Sequence, residues 1–153
     1  MEPSEYSSLD QENDGFRFLE HTTDLEIEAF GKTLDKAFEN AGKAIEDTMV
    51  DLRAINNTEE KEVNVFGKDL ESLLYSWIES LISLQEIEGL IFSRFSCKVS
   101  KDGAGYSLHA RLGGEKFSPK KHEQKTAIKA PTFHQMKIVQ STDRVTMRFL
   151  VDL

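Results

Sequence analysis

The sequence predicts an α+β fold, a mixed or antiparallel β-sheet with two amphipathic helices packed on it. Three observations predict it. Two segments, Leu34 to Met49 and Leu70 to Ile82, repeat apolar residues at helical spacing. The segments around them alternate apolar and polar residues with the period of a half-buried strand. The order reads strand, helix, strand, helix and then four strands, not the steady alternation of a doubly wound fold.

Residues 1–14, rich in Ser, Glu, Asp and Gln, read as a flexible head with nothing to bury, so the folded domain is expected over 15–153. Phe16 to Leu19 is a short opening strand. Leu25, Ile27 and Ala29 then alternate with Glu26 and Glu28, the pattern of a strand with one wet face; Gly31 ends it and Thr33 can cap the first helix. The stripe of that helix is Leu34, Ala37, Phe38, Ala41, Ala44, Ile45 and Met49. Beyond the polar break Asn56-Asn57-Thr58, Lys61, Val63 and Val65 share one side of another strand, which Gly67 ends. Asp69 is a good N-cap for the second helix, whose stripe (Leu70, Leu73, Leu74, Trp77, Ile78, Leu81, Ile82) is dense enough to place Trp77 in the core.

Leu90 to Ser100 and Tyr106 to Leu112 read as a hairpin around Asp102-Gly103, with Gly113-Gly114 ending its second strand. Residues 115–124 read as an ionisable loop. Ala127 to Met136 is extended and interrupted by Pro131. Arg144 to Val151 is the last strand, with Val145, Met147, Phe149 and Val151 inward and Thr146, Arg148, Leu150 and Asp152 on the other face. No internal repeat is visible, although the two strand-helix beginnings are compatible with a duplication.

Composition narrows the function classes. A chain of 153 residues is long enough to bury roughly two-thirds of the surface it exposes when unfolded. The single cysteine, Cys97, excludes an intramolecular disulfide and a thiolate zinc cluster, and its run Phe95 to Val99 makes it a buried strand thiol. The acidic first fifteen residues do not resemble a signal peptide, and no run approaches the roughly eighteen apolar residues of a membrane span; a soluble, cytoplasmic protein without membrane contact is expected. A net charge of -8 argues against broad phosphate binding, so any contact with nucleic acid would be local or through a partner.

There is no glycine-rich phosphate loop, no G-x-S-x-G elbow and no H-E-x-x-H. The four histidines, His21, His109, His122 and His134, are scattered. The features that stand out are His21-Thr22-Thr23-Asp24 at the start of the alternating strand, and Asp152 with Leu153 leaving the last one. Oxygen donors brought together from sequence-distant strands are what a hard divalent cation needs. The plainer alternative is a turn or capping role for Asp24 and simple solvation for Asp152, and spacing alone leaves both open. Lys129, between Ile128 and Ala130, either snorkels from the sheet or answers a carboxylate.

The segment Phe18-Leu19-Glu20-His21-Thr22-Thr23-Asp24, followed by Gly31-Lys32-Thr33-Leu34 and Ala37-Phe38, resembles the start of the archease family. Asp69 to Leu74, Gly114-Glu115-Lys116-Phe117 with His122, Lys129-Ala130-Pro131-Thr132-Phe133, and Val151-Asp152-Leu153 resemble its later blocks in the same order, over residues 16–153. Thr23 departs from the family's usual alanine and Pro131 from its usual Ile or Val. The resemblance implies an archease-like fold and an accessory protein, not an enzyme: an activator, described as chaperone-like, of the GTP- and manganese-dependent RNA ligase of tRNA splicing. It would promote guanylylation and multiple turnover of that ligase and meet tRNA only indirectly. By position, Asp24, Asp152 and Leu153 would hold a divalent cation, calcium being the family's usual occupant, and Lys129 would be a further charged residue needed for activation. The resemblance leaves open the roles of His21, His122 and Glu115. The competing readings are a stand-alone metal-dependent phosphoesterase and a general protein chaperone.

Overall fold

The computed structural model describes residues 14–20 and 24–153; residues 1–13, which hold most of the expected head, and His21, Thr22 and Thr23 lie outside the described residues. In chain order the elements are β1 (Gly15–Glu20), β2 (Asp24–Gly31), α1 (Leu34–Met49), β3 (Glu59–Gly67), α2 (Leu70–Ser83), β4 (Leu90–Asp102), β5 (Gly105–Lys116), β6 (Ala130–Gln140) and β7 (Val145–Asp152). A short 3-10 turn (Leu52–Ala54) comes after α1, and a π-helical turn (Leu84–Glu88) extends α2. The α+β class is as the sequence predicts. The strands form two antiparallel sheets, ordered β1-β2-β7-β6 and β3-β5-β4, with no parallel pair in either.

One path is traced twice. β3-α2-β4-β5 is a β-α-β-β unit whose first and last strands pair and whose third element lies at the sheet edge; β2-α1-β6-β7 is the same unit, with the former inserted between α1 and β6. Each helix packs on the first strand of its own unit and on the strand that is the third element of the other, α1 on β2 and β4, α2 on β3 and β6. A local repeat shares the same frame. Gly31-Lys32-Thr33-Leu34 and Gly67-Lys68-Asp69-Leu70 each end a strand and start a helix, with the Thr33 hydroxyl accepting from the Lys36 amide and the Asp69 carboxylate from the Ser72 amide. A Cβ on Gly31 would lie 2.7 Å from Lys36 Cβ and one on Gly67 2.7 Å from Leu73 Cα, so the first helical turn sits against the strand only because neither position has a side chain.

Both predicted stripes are buried, and Trp77 joins them. Its indole N–H donates to the Phe38 carbonyl (2.9 Å) and its ring meets Phe95 edge-on with centroids 6.2 Å apart. On the flank of its stripe α1 also closes the free edge of β4. Side-chain oxygens of Asp35, Glu39 and Glu46 accept from the amides of Val99 (2.8 Å), Cys97 (2.9 Å) and Phe92 (3.1 Å). A strand edge that would otherwise be open to other chains is thereby satisfied.

Three strand boundaries differ from the sequence reading by more than two residues. β5 runs through Gly113 and Gly114 to Lys116, because there the glycines serve close approach: an added Cβ would collide with Asn57 at one and with the Ile91 carbonyl at the other. β6 starts at Ala130, contains Pro131 and continues past Met136 to Gln140. The interruption falls later, between Thr132 and Lys137, where the pairing with β7 shifts and Gln135 takes φ 60°. No helix among the described residues is long and apolar enough to cross a membrane.

Candidate functional site

β2 and β7 pair antiparallel with Asp24 directly opposite Asp152, so the two carboxylates leave the same face of the first sheet at its end. Residues opposite one another in such a pair have Cβ atoms roughly 4.5–5.5 Å apart, and like charges there repel. β6 contributes the third strand at this level. Ala130 is the partner of Asp152 across β6 and β7, and the Lys129 amide donates to the Asp152 carbonyl (2.8 Å). Asp24, Lys129 and Asp152 are thus brought together, with Leu153 coming directly after and exposed.

The period of two that places Asp24 also places Glu26 and Glu28 on the same face, an acidic ladder along β2. Its far end is neutralised. Arg148 on β7 reaches Glu26 (3.5 Å) and Glu28 (3.1 Å), and Arg17 on β1 reaches Glu28 (3.2 Å). Among the described residues no arginine or lysine makes an ion pair with Asp152, and the exposed Lys129 side chain makes none with Asp24 or Asp152. The main chain of Lys129 is what fastens it to the pair. Glu26, Glu28 and Arg148 do not stand out as site residues in the sequence, and the alternation around them is the signal that could have found them.

The donor set suits a hard cation in kind but not in number. Carboxylate oxygens are the ligands a calcium ion takes, at about 2.3–2.6 Å. Among the described residues no group of three or more His, Cys, Asp or Glu side chains is placed to hold a metal. The remaining oxygens of a six- to eight-fold shell would come from main chain, water or a partner, which is an open shell.

A second polar cluster joins Glu115, near the end of β5, to the segments that flank the inserted unit. Glu115 accepts from Lys121 Nζ (2.8 Å), His122 Nε2 (2.9 Å) and the Asn56 amide (2.7 Å), while His122 Nδ1 accepts from the Ser118 amide (2.9 Å). The two contacts make opposite demands on the ring, an acceptor at Nδ1 and a donor at Nε2. Burial raises the Glu115 carboxyl, but hydrogen bonds from Lys121, Asn56 and His122 and the Lys121 charge outweigh it and hold the group at about 2. With the His122 side chain fully buried, this cluster braces the turn after β5. Residues 117–124 are a loop with Lys120, Lys121 and Glu123 exposed, as the sequence suggests; His122 alone is buried. Cys97 is buried as expected, and desolvation, with Glu39 and Asp35 nearby, pushes its thiol far up, so it is no nucleophile.

Comparison with known proteins places this geometry. Residues 16–153 match the model of the Archease protein family. The protein archease of Sulfurisphaera tokodaii is 42% identical over 138 residues, covering 90% of this chain and 98% of that protein. The solution structure of protein 1598 of Methanobacterium thermoautotrophicum superposes with a TM-score of 0.80 at 33% identity, covering 91% of this chain and 99% of that one. A crystal structure from Thermotoga maritima, described as an archease and possible chaperone, shares the fold with a TM-score of 0.58 at 23% identity, covering 88% and 94%. With the sequence match running from β1 to the end of β7 and the same fold in solved relatives, the chain belongs to the archease family.

Proposed function

We propose that this chain is an accessory activator of the GTP-dependent RNA ligase of tRNA splicing, and that Asp24, Asp152 and Leu153 form its divalent-cation site with Lys129 as an adjoining charged group. The observation that carries the reading is the facing of Asp24 and Asp152 at one sheet end, with Lys129 fastened beside them. Two like charges held opposite one another repel, and a bound divalent cation offsets that repulsion. A bound divalent cation would supply charge neutralisation and free coordination positions there. The chain's own residues hold the two carboxylates at a fixed spacing on rigid strands, and Lys129 stays exposed beside them for a nucleotide phosphate or a partner carboxylate. The description of the Thermotoga relative as a possible chaperone is in keeping with an accessory role.

The test supplies RNA halves ending in cyclic phosphate, GTP and manganese to the protein alone, to the ligase alone and to both. Joined RNA is expected from the ligase and more of it from the mixture. Asp24→Ala, Asp152→Ala and Lys129→Ala should each remove the increment. Joined or hydrolysed RNA from the protein alone would overturn the reading in favour of an enzyme.

A further inference from the structure

The duplicated path leaves one position filled in the first sheet and vacant in the second. β1 lies on the outer side of β2 and packs against α1; among the described residues no strand pairs with the outer side of β3, the counterpart of β2. Matching Gly31 to Gly67 makes Ile27 and Ala29 the counterparts of Val63 and Val65. Ile27 and Ala29 are fully buried beneath Phe18 and Phe16 of β1, whereas Val63 and Val65 remain half-exposed. Beside them, between β3 and α2, runs a groove of about 330 Å³ lined by Glu62, Val63, Glu79, Ser80, Ser83 and Leu84. The edge therefore offers, among the described residues, main chain that no strand pairs, two partly exposed valines and a carboxylate-lined wall together.

We propose that the outer edge of β3 takes up an extended segment of a partner protein by strand addition, the segment alternating apolar and basic residues. The pattern is read from β1, which occupies the corresponding place with Phe16-Arg17-Phe18: the two rings cover the core side and Arg17 answers Glu28 on the other face. On β3 the core-side neighbours are Val63 and Val65, and the other face carries Glu60 and Glu62. Main-chain hydrogen bonds would supply the attachment, and the alternating pockets its selectivity. Charge excludes the nearer candidates. A second copy would set Glu59, Glu60 and Glu62 against themselves, and the chain's own first fourteen residues carry Glu2, Glu5, Asp10, Glu12 and Asp14. This inference stands on the sheet pairing and not on the Asp24 and Asp152 pair.

The probe is an end-blocked octapeptide alternating valine and lysine, added to the full chain in the presence of a metal chelator, with amide exchange and chemical shifts tracked by NMR. The β3 amides that do not pair with β5 are expected to exchange at least roughly tenfold more slowly, with shifts confined to β3 and the facing side of α2. The same peptide with alternate backbone nitrogens methylated, and one with glutamate in place of lysine, should not do this. Glu62→Lys combined with Glu79→Lys should weaken binding at least roughly tenfold while leaving calcium titration unchanged. Equal binding of the methylated or acidic peptide, perturbation elsewhere, no binding at millimolar peptide, or concentration-dependent protection of β3 without peptide would each overturn the proposal. Because the chelator silences the cation site, failure here is separate from failure in the ligase assay.

Discussion

Two carboxylates in the interior titrate in opposite directions. Burial, opposed only by a hydrogen bond from the Phe92 amide, raises Glu46 to about 8, and its Oε2 is buried with no hydrogen-bond partner. Its folded value lies above the ordinary one, so the folded state holds an extra proton; the stabilisation is complete below about 4.5 and is lost as pH rises through about 8. Glu46→Gln should flatten that alkaline fall, read as urea midpoints at mildly acid and at alkaline pH. Glu115 is the reverse case, held at about 2, so its contribution is present above about 4.5 and lost as pH falls toward 2. Glu115→Gln should flatten the acid limb, and these two groups together place maximal stability near about pH 5. His122→Ala, which leaves the Ser118 amide and the Glu115 carboxylate short of a partner, should cost roughly 1–3 kcal/mol in chemical denaturation. None of these environments is written in the local pattern. His122 and Glu115 look like loop charges in the sequence because Asn56, whose amide donates to Glu115, arrives from a segment 59 residues away.

The same limit separates the legible part of the helices from the rest. The stripes of α1 and α2 were readable because helical spacing depends only on near neighbours. That Asp35, Glu39 and Glu46 face an edge strand was not, since a flank of acids on a helix reads as solvated until the strand beside it is known. Glu39→Ala should leave the Cys97 amide unpaired and cost about 1–3 kcal/mol, with faster exchange at that amide. Glu39→Gln keeps an acceptor oxygen in place and should recover most of the loss. Strand ends misled for a related reason: Gly113 and Gly114 have the composition of a terminus, yet contact with Asn57 and Ile91 is what requires them.

At the scale of the molecule, each helix is shared between the two sheets, so neither unit keeps a complete core without the other. Unfolding should therefore be a single transition. Trp77 fluorescence and far-ultraviolet circular dichroism are expected to give coincident urea curves, and separated curves would show that the units melt independently. The candidate site was legible in its parts and not in its assembly. Alternation put Asp24 at the start of one strand and Asp152 at the end of another, but nothing local says that β2 and β7 are neighbours. The family resemblance supplied that link, and the strand pairing sets the residues face to face.

Insertion of one unit within the other also fixes the order in which the molecule can be completed on the ribosome. β3, α2, β4 and β5 emerge consecutively, and their strands can begin to pair while β2 still awaits β7, the last described strand, although the core is complete only when both sheets share the helices. Domains generally fold as their segments emerge, so the contact between Asp24 and Asp152 is among the last to form. Closure of the first sheet thus completes the core and the facing acids together, since β7 brings Met147, Phe149 and Val151 into the interior as it sets Asp152 opposite Asp24.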